Sequence, residues 1–544
     1  MSLAGLMMDY PLTVTSLMRF GAAYHSDGRV ITRSIEGPVH RATYADTYRR
    51  IQRLAHALVA LGIKPGDRVG TLAWNTWRHL ELYYAISGIG AICHTINPRL
   101  SPDQMAYVLG HAQDRLLFLD TTFLGFVPAL KKAKCSIEQY VALANAETKL
   151  PDGNSDVLIY EDLLNPHPEE FDWPEIGENT AASLCYTSAT TGKPKGVLYS
   201  HRSLVLHSYC LAATFRLDPG QIALPVVPMF HVNAWGLPYA APMVGASLVF
   251  PGKALDGASL FELMDDEGVT CAQGVPTVWM GLIAHMQKVG RKPKNLQSVV
   301  IGGAAAPESM IVAFEEEFGV EVNMGWGMTE TAPLGVFNTL KPKHKSWSRE
   351  KRLKQKLKAG RAVYGVDLRI VNSEGRELPH DGESSGHLQV RGPWVLKSYF
   401  GNEDDSLTAD GWFDTGDIGN LDEDGYLQIT DRAKDVIKSG GEWISSVDLE
   451  NFAMSHPAVA HAAVIGIAHP KWQERPLLVC VVAEGQKAPT LEELRTFLSA
   501  KVPSWWLPDA VEFVDSLPLG ATGKVQKSVL RERFKDYRLD TSAV

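Results

Sequence analysis

The stretch Tyr186–Gly196, YTSATTGKPKG, sets hydroxyls, glycines and two lysines between the apolar runs AASLCY and GVLYS. Both flanks read as strands, so the segment is expected to be a loop joining two strands. Thr187, Ser188, Thr190 and Thr191 offer hydroxyl donors, and Gly192 and Gly196 allow close backbone approach. Lys193 and Lys195 add positive charge, which makes the loop a candidate phosphate cradle rather than a plain surface turn. It is not a Walker-type loop. Thr187 occupies the first glycine position of that motif, and Pro194 follows the lysine where the motif requires Ser or Thr.

Outward from this loop the chain alternates helix with strand. Residues 43–62, TYADTYRRIQRLAHALVALG, carry apolar groups at helical spacing, and KPGDRVGTLAWN follows as a turn and a strand. LELYYAISGIGAICHTIN and DQMAYVLGHAQDRLLFLD repeat the pattern, and SLVLHSYCLAATF, GASLVF and LFELMDDEGVTCAQGV continue it downstream. This predicts α/β layers with largely parallel strands, whose ligands gather at loops beyond the strand ends. From about 361 the texture changes to short strands, VDLRIVN, SGHLQVRG and YLQITDR, predicting a β-rich subdomain. The last hundred or so residues return to α/β texture as a small domain beginning near Lys434. The expected fold class is therefore α/β: a large N-terminal domain, 1–433, of layered α/β subdomains plus the β-rich part, and a small α+β domain, 434–544. The basic run 341–358, KPKHKSWSREKRLKQKLK, reads as a solvated helix face, with docking of a polyanion or acidic partner as the alternative.

At 544 residues, 45% apolar and 21% charged, the composition is that of a globular protein with more than one domain. A net charge of -9 argues against nucleic acid as a partner and leaves anionic small molecules open to local field. The six cysteines are scattered, with no metal-ligand spacing, and read as buried thiols of a reducing compartment. No apolar stretch has the length of a membrane span and the first residues carry no cationic leader, so a cytoplasmic location is expected.

Further segments carry candidate chemistry. NMGWGMTETAP, 323–333, sets Trp326 and Gly327 ahead of Thr329 and Glu330; an aromatic face suits a base and a carboxylate suits magnesium, although a packed Trp with a helix-capping pair has the same pattern. GWFDTGDIG, 411–419, puts Asp417 on a glycine-flanked turn, suited to ribose hydroxyls or simply to a turn. IGGAAAP, 301–307, is small-residue backbone against which a flat ring can lie, or tight strand–helix packing. HVNAWG, 231–236, sets His231 and Trp235 at helical spacing, a pattern shared with an ordinary core histidine. DRAKDVIKSGGEW, 431–443, and LPLGATGKVQK, 517–527, bring lysines next to glycines.

In this order these segments resemble the superfamily of AMP-forming adenylating enzymes, which comprises acyl-CoA synthetases, peptide-synthetase adenylation domains and luciferases. The resemblance covers nearly the whole chain. It departs at Ala189, where the family's YTSGTTGxPKG has glycine. The resemblance implies a two-step reaction: a carboxylate attacks the α-phosphate of ATP, giving an acyl-adenylate and pyrophosphate, and the thiol of coenzyme A then displaces AMP. It implies that Thr187, Ser188, Ala189, Thr190, Thr191, Gly192, Lys193 and Lys195 hold the phosphates. Gly303, Ala304, Ala305, Trp326, Gly327, Met328 and Thr329 would take the adenine side, with Asp417 and Arg432 on the ribose and Glu330 with Thr187 on Mg2+. Lys524 matches the catalytic lysine, and Lys434 the hinge about which the small domain turns between steps. After that turn Lys438, Gly440, Gly441, Glu442 and Trp443 would face coenzyme A. His231, Trp235, Gly302, Gly303, Gly327 and Pro333 would line the acyl pocket. In relatives that use acetate a tryptophan stands at the position of Gly327, so this pocket is expected to admit longer acids. The texture is similar to medium-chain acyl-CoA synthetases and, very closely, to 3-methylmercaptopropionate-CoA ligases, which implies 3-methylmercaptopropionate as the acid, with a general short- to medium-chain fatty acyl-CoA synthetase as the alternative. Relatives are often homodimers. GGEW, typical of coenzyme A-dependent members, argues against a luciferase-like oxygenase, and Glu330, Asp417, Arg432 and Lys524 together argue against a noncatalytic binding protein.

Overall fold

A computed structural model describes residues 5–133, 135–187, 193–402, 406–439, 442–520 and 525–539. The first long helix, Tyr44–Ala60, starts where local chemistry directs it. The Thr43 hydroxyl accepts from the Asp46 N–H, and the Asp46 carboxylate accepts from the Thr43 N–H at 3.0 Å, so two otherwise orphaned donors are satisfied reciprocally. Its face Ile51, Leu54, Ala55 and Leu58 is buried against the helix Trp77–Gly88, itself buried along its whole length. Charges are carried into this contact only in pairs. Arg50 donates to Glu81 at 2.6 Å and to Glu161 at 3.0 Å, and the Tyr160 hydroxyl donates to Glu81 at 2.6 Å. Arg50→Met would strand the buried Glu81 carboxylate. The expected outcome is a loss of about 3–5 kcal/mol, read as a lowered urea midpoint, with Arg50→Lys losing less.

Two sheets carry the large N-terminal part. Seven strands run in the order 158–159, 139–143, 114–120, 68–72, 92–95, 181–186, 196–200, parallel except for the last pair. That pair, Ala181–Tyr186 and Gly196–Ser200, is antiparallel with Tyr186 opposite Gly196, so the loop of the opening motif joins two strands as expected. The second sheet has thirteen strands. Its parallel half, 29–33, 247–250, 222–225, 271–274, 298–301 and 321–327, is the α/β layer, edged by the antiparallel strand 39–43. The antiparallel half from 334–337 to 367–371 holds the β-rich region expected from about 361 and begins ahead of it, at 334. The strand Glu321–Gly327 belongs to both halves, which brings residues from each to one edge.

A third sheet of five strands is built only from residues 437–513, with the hairpin 437–439/442–444 at one edge. The basic run is absorbed by the fold. Lys341, Lys343 and His344 all meet Asp424, while Lys356, Lys358 and Arg349 meet Glu315, Asp422 and Glu316. Intramolecular pairing thus accounts for most of its charge. No described helix is long and apolar enough to cross a membrane.

Candidate active site

At the C-terminal end of Glu321–Gly327 stands Trp326. Its indole Nε1 donates to Asp417 Oδ2 at 2.9 Å, and Arg432 Nε donates to the other oxygen, Oδ1, at 2.7 Å. Asp417 and Arg432 face each other on neighbouring antiparallel strands, so register places them together. Asp417 is only 2% exposed, and its carboxylate is orientated by two donors of fixed geometry. The ring of Trp326 lies over Gly335, where an added Cβ would fall 2.6 Å from the indole. Only hydrogen fits there.

After Gly327 the chain makes a short turn, Thr329–Thr331, rather than an open loop. The turn buries Glu330, whose Oε1 accepts from the Tyr399 hydroxyl at 2.8 Å; the Tyr199 hydroxyl donates to the Thr329 carbonyl at 2.6 Å. Burial raises the Glu330 carboxyl above its ordinary range, against the Tyr399 hydrogen bond and the fields of Arg432 and Lys195. Lys195 Nζ stands 4.5 Å over the Tyr399 ring, and Lys193 Nζ 5.0 Å over that of Tyr107. The Thr187 and Lys195 backbones close the base of the opening loop, Thr187 N–H donating to Lys195 C=O at 2.9 Å. Ser188, Ala189, Thr190, Thr191 and Gly192 lie outside the described residues, as do Gly440, Gly441 and Lys524.

Trp235 and Gly302 come together as a wall. An added Cβ at Gly302 would meet the Trp235 ring at 2.9 Å, and one at Gly303 would meet Val275 at 3.3 Å and Trp235 at 3.9 Å. Ala304 and Ala305 continue the same turn as exposed backbone. The helical spacing expected for His231 and Trp235 is not what forms. Val232, Asn233, Ala234 and Trp235 all have positive φ, 47° to 54°, so the segment is a left-handed turn. Such residues cost roughly 1–2 kcal/mol each. Buried contacts hold it, among them Asn233 Nδ2 donating to Ser183 Oγ at 3.2 Å, and Gly236 at φ 82° pressed on His207. His231 stands at its start, its N–H on the Pro228 carbonyl at 3.0 Å.

Gly327 corrects a second expectation. A Cβ there would lie 1.9 Å from the Pro333 carbonyl oxygen. The space at 327 is therefore filled by backbone, and the glycine is required by that close approach; it does not simply leave a side-chain volume vacant. Met328 donates its N–H to the same carbonyl at 3.3 Å. In the small part of the chain Trp443 meets the His387 ring edge-on at 6.2 Å, and His387 pairs with Ile418 beside Asp417. Lys438 N–H is held by Glu474 at 2.9 Å, and Glu442 begins the returning strand Glu442–Ile444.

Sequence reasoning missed Tyr399, Tyr199 and Asn233. Each acts through a partner far away in the chain, and no local spacing announces them. The Glu330 carboxylate also feels the charge of Lys195, at the base of the loop. A single carboxylate of this kind suits Mg2+, which binds through one or two carboxylates plus substrate phosphates and water. The arrangement as a whole is an aromatic face and a buried carboxylate pair of sites, edged by lysines.

The sequence profile of the AMP-binding enzyme family matches residues 21–400, and that of the AMP-binding enzyme C-terminal domain matches residues 448–524. The chain is 51% identical to a 3-methylmercaptopropionyl-CoA ligase of Ruegeria lacuscaerulensis, over 98% of this chain and 99% of that one. It is 48% identical to a medium-chain-fatty-acid–CoA ligase of Ectopseudomonas oleovorans, over 99% of each. Among solved structures, the anthranilate CoA ligase AuaEII in complex with anthranoyl-AMP superposes with a TM-score of 0.86 at 25% identity, covering 97% of this chain and 98% of that one.

Proposed function

The chain belongs to the AMP-binding enzyme family, and from that membership we propose that it is an AMP-forming acid–thiol ligase joining 3-methylmercaptopropionate to coenzyme A at the expense of ATP. The observation that carries the chemistry is the buried Asp417 carboxylate, which holds Arg432 and the Trp326 indole at one edge. Adenine would lie on Trp326 beside the 303–305 backbone, and the ribose hydroxyls would donate to Asp417. The lysines and hydroxyls of the 187–195 loop would bind the ATP tail. Glu330, with Thr187, would hold a magnesium ion, which when bound supplies charge neutralisation on the phosphate oxygens.

In the first step a carboxylate oxygen of the acid bonds to the α-phosphorus and the bond to the pyrophosphate oxygen breaks. Negative charge gathers on the phosphoryl oxygens, and Lys524 would neutralise it while bridging to the acid. In the second step the sulfur of coenzyme A bonds to the acyl carbon, the thiol proton is lost to solvent, and AMP leaves with the former carboxylate oxygen. Residue 434 is taken as the hinge between a body of residues 1–433 and one of 434–544, so that Lys438–Trp443 would replace Lys524 for that step.

The acid is inferred from the relatives' names and from Trp235 lying across Gly302, a wall that would give a shallow pocket suited to a short chain with an apolar thioether tip. Coenzyme A consumption with 3-methylmercaptopropionate should exceed that with butyrate through octanoate. A preference for hexanoate or octanoate would instead support the general medium-chain reading. Trp235→Gly is the informative variant, because glycine accepts the positive φ of 54° at this position and removes only the indole. With about 0.8 kcal/mol available per newly buried methylene, octanoate should gain roughly 10-fold or more in kcat/KM relative to the thioether acid.

A further inference from the structure

The strand Tyr426–Arg432 ends by sending consecutive charged side chains to opposite faces. Arg432 goes to Asp417. Asp431, 1% exposed, turns the other way, and its Oδ2 accepts the N–H of Ser446 at 2.7 Å, while Oδ1 accepts the N–H of Arg432 at 2.7 Å. Ser446 is the first residue of the helix Ser446–Met454, so a carboxylate meets the positive end of a helix with a charge-assisted hydrogen bond. The preceding Ser445 is the N-cap: its hydroxyl accepts from the Asp448 N–H at 3.1 Å and donates to the Thr430 carbonyl. Lys527 reaches the same turn from the helix Lys527–Arg533, its Nζ 2.5 Å from Ser446 Oγ and 2.7 Å from Glu450 Oε1. The start of Ser446–Met454 is thus gripped from two directions, by the strand that leads out of the nucleotide cradle and by the segment that follows Lys524.

Lys434 falls in sequence between Asp431 and Ser446. A backbone rotation at 434 keeps Asp431 with the large body and carries Ser446 with the small one, so the buried Asp431–Ser446 bond must break. We propose that Asp431 is a positioning residue for the two-step reaction: capping Ser446–Met454 from across residue 434, it holds the small body in the orientation of this structure and lets go when that body turns. The proposal rests on the reading of Lys434 as the hinge. Asp431 touches no substrate; it acts by weighting one orientation against the other, which moves the two half-reactions in different directions.

The test is to time pyrophosphate release from ATP and acid, and separately thioester formation from supplied acyl-adenylate and coenzyme A. Asp431→Ala and Ser446→Pro should each change the ratio of these two rates by about 10-fold, with KM for ATP held within about 3-fold. Asp431→Asn keeps an acceptor oxygen and should fall between wild type and Asp431→Ala. Ser446→Pro serves where Asp431→Ala does not fold. Proline is at home in the first helical position, and Ser445, at φ -71° and ψ 114°, already has the extended geometry that a following proline requires. Equal loss in both half-reactions, or an unmoved ratio, overturns the proposal. Lys434→Pro, measured alongside, separates the two failures. If it stops one half-reaction while the Asp431 and Ser446 variants leave the ratio unmoved, the latch alone is wrong; if it too leaves the ratio unmoved, the hinge reading falls as well.

Discussion

Lys524→Ala is expected to slow adenylation by about 10²–10³-fold while thioester formation from supplied acyl-adenylate stays within about 3-fold of wild type. The first step builds negative charge on the α-phosphoryl oxygens as the acid attacks, and a preorganised ammonium removes part of that barrier. The second step develops its charge at the acyl carbonyl, when rotation about residue 434 would have withdrawn Lys524. The described residues on either side of it meet: Leu519 bridges to Val525, and the Gln526 N–H donates to the Pro518 carbonyl at 2.8 Å. Single-turnover pyrophosphate release in parallel with the isolated thioester reaction reads both effects. Equal losses in the two would remove Lys524 from its catalytic role.

Asp417→Ala carries the second large effect, on ATP. One buried carboxylate organises both the Arg432 guanidinium and the Trp326 indole, so truncation frees the two groups together and removes the acceptor for the ribose. Hydrogen bonds to a charged partner are worth about 1.5–3 kcal/mol each, so kcat/KM for ATP should fall by at least about 10²-fold. Asp417→Asn is the sharper probe. Its amide oxygen can still accept from the indole Nε1, but its amide nitrogen would meet Arg432 donor to donor. It should therefore retain the Trp326 environment, seen in intrinsic fluorescence, while losing most of the ATP effect. An Asp417→Ala enzyme with an unchanged KM for ATP would mean that the nucleotide lies elsewhere.

Several elements were legible because their causes are local. The helix Tyr44–Ala60 follows from the Thr43/Asp46 box and its apolar spacing, and the strand pair around YTSATTGKPKG from its short apolar flanks. The site was legible only as separate pieces. Trp326 and Asp417 are 91 residues apart, and nothing in either segment says that the indole N–H meets that carboxylate; it follows from strand order in the second sheet. Tyr399, 69 residues from Glu330, could be seen only once the turn at 329–331 had buried that carboxylate. The HVNAWG segment misled because apolar spacing is blind to handedness. Its left-handed turn has no local justification and persists through contacts such as Asn233 with Ser183.

By itself the sequence determined the layered α/β architecture, the two strands that flank residues 187–195 and the identity of the charged groups available for chemistry. Periodicity, turn chemistry and side-chain type act over a few residues and are written wherever those residues stand. The tertiary structure alone decided which carboxylate holds which cation, that the Pro333 carbonyl fills the space beside Gly327, and that Trp235 lies on Gly302 from a strained turn. Those outcomes depend on packing between segments far apart in the chain, where burial can outweigh a local cost that no short stretch of sequence would accept alone.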